Sequence, residues 1–306
     1  LRWAGYTGVG FSRISVNPSL SIIYKLNYAW RFTVHASYKE RYGEMTDLYD
    51  RPYQTDYRNS VWNCGILPVY RQQLYSVYGE YKNTAREFFA TVNLTHNREW
   101  YNRIYEQRIE NGQIQRVSLP LSNHGSGYTV KSTLSKGFYD LGLKTSLLAL
   151  LNISKAEQIS GGQRLPYQYR LMRLEPKVIW TPNRHWETSY QTDIRYGGSK
   201  IGERTRLAPL WNVTQQVQLS YIFSPIEASL SVDHYHNDVN EDQSVNAVFA
   251  DFSVLWKSRR LQITATATNL FDKRTYGYTR YASLESYTSW VRIRPREFLV
   301  AIRYQL

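Results

Sequence analysis

Along much of this chain apolar and polar side chains take turns, so that alternate residues share one face of an extended strand. In the final stretch Phe298, Val300, Ile302, Tyr304 and Leu306 alternate with Leu299, Ala301, Arg303 and Gln305. Just upstream, Leu261, Ile263, Ala265 and Ala267 alternate with Gln262, Thr264, Thr266 and Thr268. The same period puts Trp30, Phe32, Val34, Ala36 and Tyr38 opposite Arg31, Thr33, His35, Ser37 and Lys39. It recurs over Trp186, Thr188, Tyr190, Thr192, Ile194 and Tyr196, and less cleanly over Leu143 to Ile153, where Leu148 and Leu150 fall on the polar side. Strands of this kind suit hydrocarbon on one face and water on the other.

Aromatic residues bracket a series of short connections: Tyr28 and Trp30, Tyr81 and Phe88, Phe138 and Tyr139, Trp180 and Trp186, Tyr221 and Phe223, then Trp256. They predict one interfacial girdle, because an aromatic ring with a polar tip favours the boundary between lipid and water. Thr181-Pro182-Asn183-Arg184 and Ser224-Pro225 interrupt pairing where hairpins reverse. At the other ends the expected loops are long and polar: Tyr42 to Val69, Gly198 to Arg206, Asn237 to Ser244 and Asp272 to Ser289. One strand near Leu20 to Asn27 followed by six hairpins gives about thirteen strands. A further strand over Gly8 to Ser15 is opposed by Asn17-Pro18 and nearby glycines. The fold expected is all-β, a transmembrane antiparallel β-barrel, with residues 1–306 as a single domain. An odd set of strands does not close by itself, and the chain starts at Leu1 with no basic-then-apolar leader, so the expectation is the C-terminal portion of a larger barrel.

Composition agrees once the lumen is counted. A mean hydropathy of -0.53 with 21% charged residues excludes a helical membrane protein. The longest apolar run, Leu147 to Leu151, falls far short of the roughly 20 residues a spanning helix needs. A barrel strand needs only about 9 to 11, half of them facing water. The 27 Tyr, 9 Trp and 10 Phe exceed what a soluble core of this size uses. The net charge of +13 has two readings. Inward Arg31, Lys39, Arg195, Arg292 and Arg294 could draw an anionic ligand, or basic residues could meet lipopolysaccharide phosphates and acidic groups of another domain. Arg292, Arg294 and Arg296 are expected to share one strand face. Nucleic-acid binding is not indicated, because the aromatics follow the apolar phase of the strands and the turns rather than the charged face.

The closing residues carry a family likeness. Asn269-Leu270-Phe271-Asp272-Lys273-Arg274, a tyrosine-rich segment through Tyr276, Tyr278 and Tyr281, and the ending from Arg294-Pro295-Arg296-Glu297-Phe298 to Leu306 resemble the C-terminus of TonB-dependent outer-membrane receptors. The terminal residue departs from that family, which usually ends in an aromatic. The resemblance implies a 22-stranded barrel in the Gram-negative outer membrane, occluded by an N-terminal plug. It also implies energised uptake of a siderophore, cobalamin or oligosaccharide. The plug, the TonB-contact region and the first strands would lie outside this chain. The alternative is a plugless porin or structural barrel.

Other chemistry is thin. His234 and His236 share a strand face beside Asp233 and Asp238, but two ligands make no metal site, and the expectation is a solvated strand end. His124-Gly125-Ser126-Gly127 and Gly197-Gly198-Ser199 lack the nucleophile elbow. Cys64 is a lone thiol. No enzyme activity, cofactor or metal is expected. The candidate lumen and ligand contacts are Arg31, His35, Lys39, Asp193, Arg195, Tyr276, Tyr278, Tyr281, Arg292 and Arg294. The expected partners are outer-membrane lipid and lipopolysaccharide, the TonB complex, and a small-molecule or oligosaccharide ligand.

Overall fold

The computed structural model describes residues 2–4, 10–12, 14–110, 112–202, 205–240, 242–282 and 285–305. Numbered in chain order, the strands begin with β1 (Arg2–Ala4), β2 (Gly10–Ser12), β3 (Ser19–Lys25), β4 (Trp30–Tyr42), β5 (Tyr53–Gln54), β6 (Asn59–Trp62) and β7 (Val69–Asn83). They continue with β8 (Phe88–Tyr101), β9 (Ile104–Glu110), β10 (Gln113–Leu119), β11 (Asn123–Phe138), β12 (Leu143–Ser160), β13 (Gln163–Asn183) and β14 (Trp186–Ile201). The last are β15 (Thr205–Phe223), β16 (Ile226–Asp238), β17 (Ser244–Lys257), β18 (Leu261–Thr268), β19 (Thr275–Ala282), β20 (Glu285–Arg292) and β21 (Glu297–Tyr304).

Thirteen of these, β3, β4, β7, β8, β11 through β18 and β21, pair in succession as one antiparallel wall, the number that the alternation predicts. Its strands belong to a barrel-like sheet. Among the described residues, however, no ladder joins β21 to β3, and every residue of both strands is exposed. Within the expected strand over Gly8 to Ser15, Gly10–Ser12 pairs with β1 in a separate two-stranded sheet, and residues 8, 9 and 13 lie outside the described residues.

Paired residues share a face, so a single contact fixes the orientation of the whole wall. The hairpin β19–β20 lies against the side that carries Tyr235 and Asn237. Asn237 pairs with Asn212, Asn212 with Arg195, and Arg195 with Arg173, so all four side chains face inward. The same bookkeeping of register puts Arg31, Glu80, Thr91, Thr133, Leu148 and Glu175 in one inward row. The columns led by Trp30, Trp186 and Phe298 therefore face out, where those residues are 39%, 46% and 74% exposed. An apolar face this extensive is a liability in water and a contact surface in lipid.

The outer face has two aromatic rims. At one, Trp186 packs on Tyr221 with ring centroids 4.7 Å apart; at the other, Tyr196 packs on Trp211, also at 4.7 Å. Ten positions separate Trp186 from Tyr196, and ten separate Trp211 from Tyr221. At about 3.3 Å per residue and a tilt of about 40°, that is about 25 Å along the membrane normal, the height of the apolar band of an outer-membrane barrel.

Short turns lie on the Trp186 rim, and asparagines build several of them. Asn27 Oδ1 accepts from the backbone N–H groups of Ala29 and Trp30, and Asn183 Oδ1 accepts from those of His185 and Trp186. Each turn thus delivers a tryptophan to the girdle. The opposite rim carries the elaborations, with one correction: Gly198 to Arg206 is not a long loop, because β14 runs to Ile201 and β15 resumes at Thr205. Its glycines and charges sit on tall strand ends, which composition alone reads as loop. Conversely, β9 and β10 form an elaboration over residues 104–119 that the alternation does not single out.

Val217 faces out between the two rims while its neighbour Gln218 faces in. Val217→Arg is expected to destabilise the embedded protein by about 2–4 kcal/mol, and Gln218→Arg by under about 1 kcal/mol. Denaturant titration of the protein in lipid vesicles measures both.

Candidate functional site

Both elaborations turn in over the mouth of the wall. The first is the β19–β20 hairpin, and its base is held by Asn269. That residue has φ 50° and is 7% exposed. Its Nδ2 donates to the carbonyls of Lys273 (2.9 Å) and Arg294 (2.8 Å), one at each foot of the hairpin, and its Oδ1 accepts from the Lys273 N–H at 3.0 Å. Its own N–H donates to Asp251 on β17 at 2.7 Å. Asp272 adds a bond from the Arg296 N–H at 3.0 Å. The Asn269-Leu270-Phe271-Asp272 step is thus a clamp that joins strand, hairpin and final strand. Asparagine suits it because its side-chain amide both donates and accepts, and it tolerates positive φ.

Held this way, the hairpin brings Tyr276 within 5.3 Å of the Tyr235 ring, edge to face, and its hydroxyl accepts a 2.8 Å bond from Asn237 Nδ2. Beneath lies a cavity of about 560 Å³ lined by Tyr169, Arg173, Asp193, Arg195, Asn212, Asn237, Tyr276 and Tyr278, among others. Arg173 makes a bidentate pair with Asp193 at 2.9 and 3.0 Å, and Arg195 reaches the same carboxylate at 2.6 Å. Glu175 lies 2.5 Å from Arg173 in charge contact, without hydrogen-bond alignment. Two cations thus face two anions. Arg195 is half exposed toward the cavity, so it is the member of the cluster a ligand can reach.

The second elaboration is a cap. β5, β6, β10 and β9 pair in that order, and β9 joins the wall through a short parallel ladder, Ile159 to Glu106. Ile104 is fully buried, and buried Glu106 accepts from Arg108 and from the Gly162 N–H. Between cap and wall is a cavity of about 900 Å³ lined by Asn97, Glu99, Tyr101, Arg103, Tyr105 and Arg116, among others. Tyr105 lies between two guanidiniums, with Arg116 at 3.7 Å and Arg103 at 5.0 Å from the ring centre. Burial pushes the Tyr105 phenol above its ordinary value, while the two arginines pull it back.

The chain builds the wall of an outer-membrane β-barrel. A lipid belt about 25 Å high, short turns on one rim and inward elaborations on the other are that architecture.

No protein-family model matches the chain. No curated protein matches it either. Among solved structures, it is similar to FpvA of P. aeruginosa, bound there to heterologous pyoverdines, with 10% identity and a TM-score of 0.48 over 94% of this chain and 44% of that one. It is similar also to the ferric yersiniabactin uptake receptor FyuA from Yersinia pestis, with 8% identity and a TM-score of 0.45 over 95% and 50%. The translocator domain of the autotransporter NalP from Neisseria meningitidis gives 9% identity and a TM-score of 0.29 over 92% and 89%. The chain spans about half the length of the first two. Likeness this distant assigns no family, and the reading of the chain rests on its own geometry.

Of the expected contacts, Asp193, Arg195, Tyr276 and Tyr278 meet at the hairpin cavity. Arg31, His35 and Lys39 face inward on β4, outside that cavity, and Arg31 is bound to Glu80 at 2.5 Å. The Tyr281 side chain lies outside the described residues. Arg292 ends β20 and Arg294 and Arg296 fall in the connection to β21, so the three do not share a strand face. The reason is Ile293, whose N–H donates to the Arg274 carbonyl and closes the hairpin before β21 begins. His234 and His236 lie on the outer face; His236 bonds Asn246 at 2.9 Å and approaches Asp238 at 3.3 Å. Among the described residues no group of three potential metal ligands gathers. Arg173, Asn237 and Tyr105 are additions that periodicity does not reveal, because their partners come from other strands.

Two outcomes are expected. Asn269→Ala removes the side-chain hydrogen bonds to both hairpin feet, a cost of about 0.5–1.5 kcal/mol for each, and limited proteolysis will cut the hairpin faster while the wall stays intact. Tyr105 ionises above its free value, so its contribution to cap stability is complete below about pH 10 and is lost as pH rises through the folded value. Hydrogen exchange across β9 and β10 should therefore accelerate at high pH in the wild type, with Tyr105→Phe removing that component.

Proposed function

We propose that this chain supplies the C-terminal wall strands of a TonB-dependent receptor that admits a scarce nutrient of the siderophore, cobalamin or oligosaccharide class. The observation that carries the reading is the inward hairpin clamped by Asn269, which narrows the mouth and sets Tyr276 and Tyr278 over Arg173, Asp193 and Arg195. Stiff aromatic faces and a charge-paired arginine with a free edge suit a polar, ring-bearing ligand. Because the cluster is balanced, selection works through fit and directed hydrogen bonds more than through net charge. On this reading a 22-stranded cylinder is completed by further strands, a plug fills a lumen too wide for the wall's own side chains, and the TonB complex acts through a region preceding the plug. Lipid and lipopolysaccharide surround the belt.

A second reading, a plugless channel, is favoured by small hydroxyls on the inner face, such as the Thr91 and Thr133 pair at 2.5 Å. Growth of a deletion strain on single ferric chelates, cobalamin and glycans, with and without TonB, separates the two. Loss of one nutrient only when TonB is present supports the receptor. TonB-independent uptake together with stable conductance in planar bilayers supports the channel.

For the receptor, Arg195→Ala is expected to weaken ligand binding about tenfold, the loss of one charge-assisted hydrogen bond. Asp193→Asn, which frees both guanidiniums, is expected to shift preference toward more anionic ligands. Isothermal titration of the full-length protein with the nutrient identified by growth checks both.

A further inference from the structure

Three successive outward rows on one flank of the wall change from apolar to aromatic to cationic. The lowest runs Val77, Leu94, Val130, Leu151, Met172 and Tyr196, and ends on the girdle pair Tyr196 and Trp211. The next contains Tyr75, His96 and Tyr128, with His96 stacked on Tyr128 at 4.3 Å and 21° and on Tyr75 at 6.5 Å and 14°. Above it the register places Gln73, Arg98, Ser126, Lys155, Gln168 and Lys200 side by side across β7, β8, β11, β12, β13 and β14. Arg98, Lys155 and Lys200 recur every second strand, about 10 Å apart. Arg170 stands one row below, beside Gly198.

Among the described residues, these cations lack the acidic partners that the inward Arg31, Arg173 and Arg195 have. Inside, Arg31, Arg173 and Arg195 are matched with Glu80, Glu175 and Asp193. Among the described residues, Arg98, Lys155, Lys200 and Arg170 form no ion pair, and Glu157, two residues from Lys155 on the same face, is held by Arg164 at 3.0 Å. Arg98, Ser126, Lys155, Gln168 and Lys200 line a cleft of about 480 Å³, together with Trp100, His124 and two carboxylates, Glu99 and the Arg164-paired Glu157. On the opposite flank, the outward positions level with the Tyr196 and Trp211 girdle on β16 and β17 are Asp238 and Ser244, and those one row below are His236 and Asn246, with no lysine or arginine among them.

Arg98 lies ten positions from Phe88, Lys155 twelve from Leu143 and Lys200 fourteen from Trp186 on the lower rim. These like charges therefore stand at and just beyond the height where lipid tails give way to headgroups and need counter-anions; the rim with the inward elaborations is the outer one. We propose that this cleft binds the phosphorylated sugar headgroup of an outer-leaflet glycolipid. The aromatic row below takes the acyl-sugar boundary, and Gln73, Ser126 and Gln168 supply hydrogen bonds between the charges. The proposal rests on the membrane-barrel part of the functional reading and not on the cargo.

The test uses the full-length protein purified in mild detergent, with native mass spectrometry and titration by bisphosphorylated lipid A in mixed micelles. Wild type is expected to retain lipid A, and the triple variant Arg98→Gln, Lys155→Gln, Lys200→Gln to lose affinity on the order of a hundredfold. Arg98→Lys, Lys155→Arg, Lys200→Arg should keep it, as should the inner-face set Lys131→Gln, Lys144→Gln, Lys177→Gln. Heat-modifiable gel mobility confirms that each variant is folded. Equal retention by the outer triple variant, equal binding of dephosphorylated lipid A, or displacement by millimolar inorganic phosphate alone would overturn the proposal. TonB-dependent uptake, measured separately, fails if the receptor reading is wrong while lipid retention is untouched.

Discussion

Everything in this molecule follows from the two-residue period of the β-strand, locked by the hydrogen-bond ladder. Once one strand is in register with the next, each side chain is committed to lipid or to lumen, and a slip of one residue would exchange the two. The lock is strong because both faces carry a requirement. The outer face must satisfy hydrocarbon over about 25 Å, and the inner face must satisfy water and an array of opposed charges. Backbone polar groups meanwhile find partners only in neighbouring strands. Each side disfavours the other's residues, with exceptions such as the inward Leu148, so alternation specifies the fold with little help from a buried core.

That constraint explains what could be read from the chain directly. The columns of Trp30, Trp186 and Phe298 announce their face because belt positions are chemically uniform. The turns announce themselves because asparagine and proline are bound to local geometry. Gly198 to Arg206 misleads for the same reason: strands that rise past the membrane lose the apolar half of their pattern while remaining paired. The mouth was only partly legible. Asp193, Arg195, Tyr276 and Tyr278 stand out by type, but Arg173 gains its meaning from a carboxylate on the next strand, and Tyr105 from cations at two other positions. Cross-strand distance is not written in any one segment.

The Asn269 clamp links the two levels. It uses one amide to tie both ends of an inward hairpin to the rigid wall, so the position of Tyr276 in the lumen follows from the register of β17 and β18. Lumen chemistry is thus anchored to the same ladder that defines the lipid belt. The cap reaches a comparable result through Glu106, which receives bonds from its own strand and from the β12–β13 turn.

The unjoined strands β3 and β21 have a consequence for assembly. They bound a meander of thirteen strands, so they run in the same direction. Strands of like direction cannot pair antiparallel with each other, so an antiparallel seam between these two would take an odd number of intervening strands. Selvedges with bare peptide groups are costly in hydrocarbon, so on the proposed reading, in which further strands complete the cylinder, this segment would enter the membrane only in concert with them.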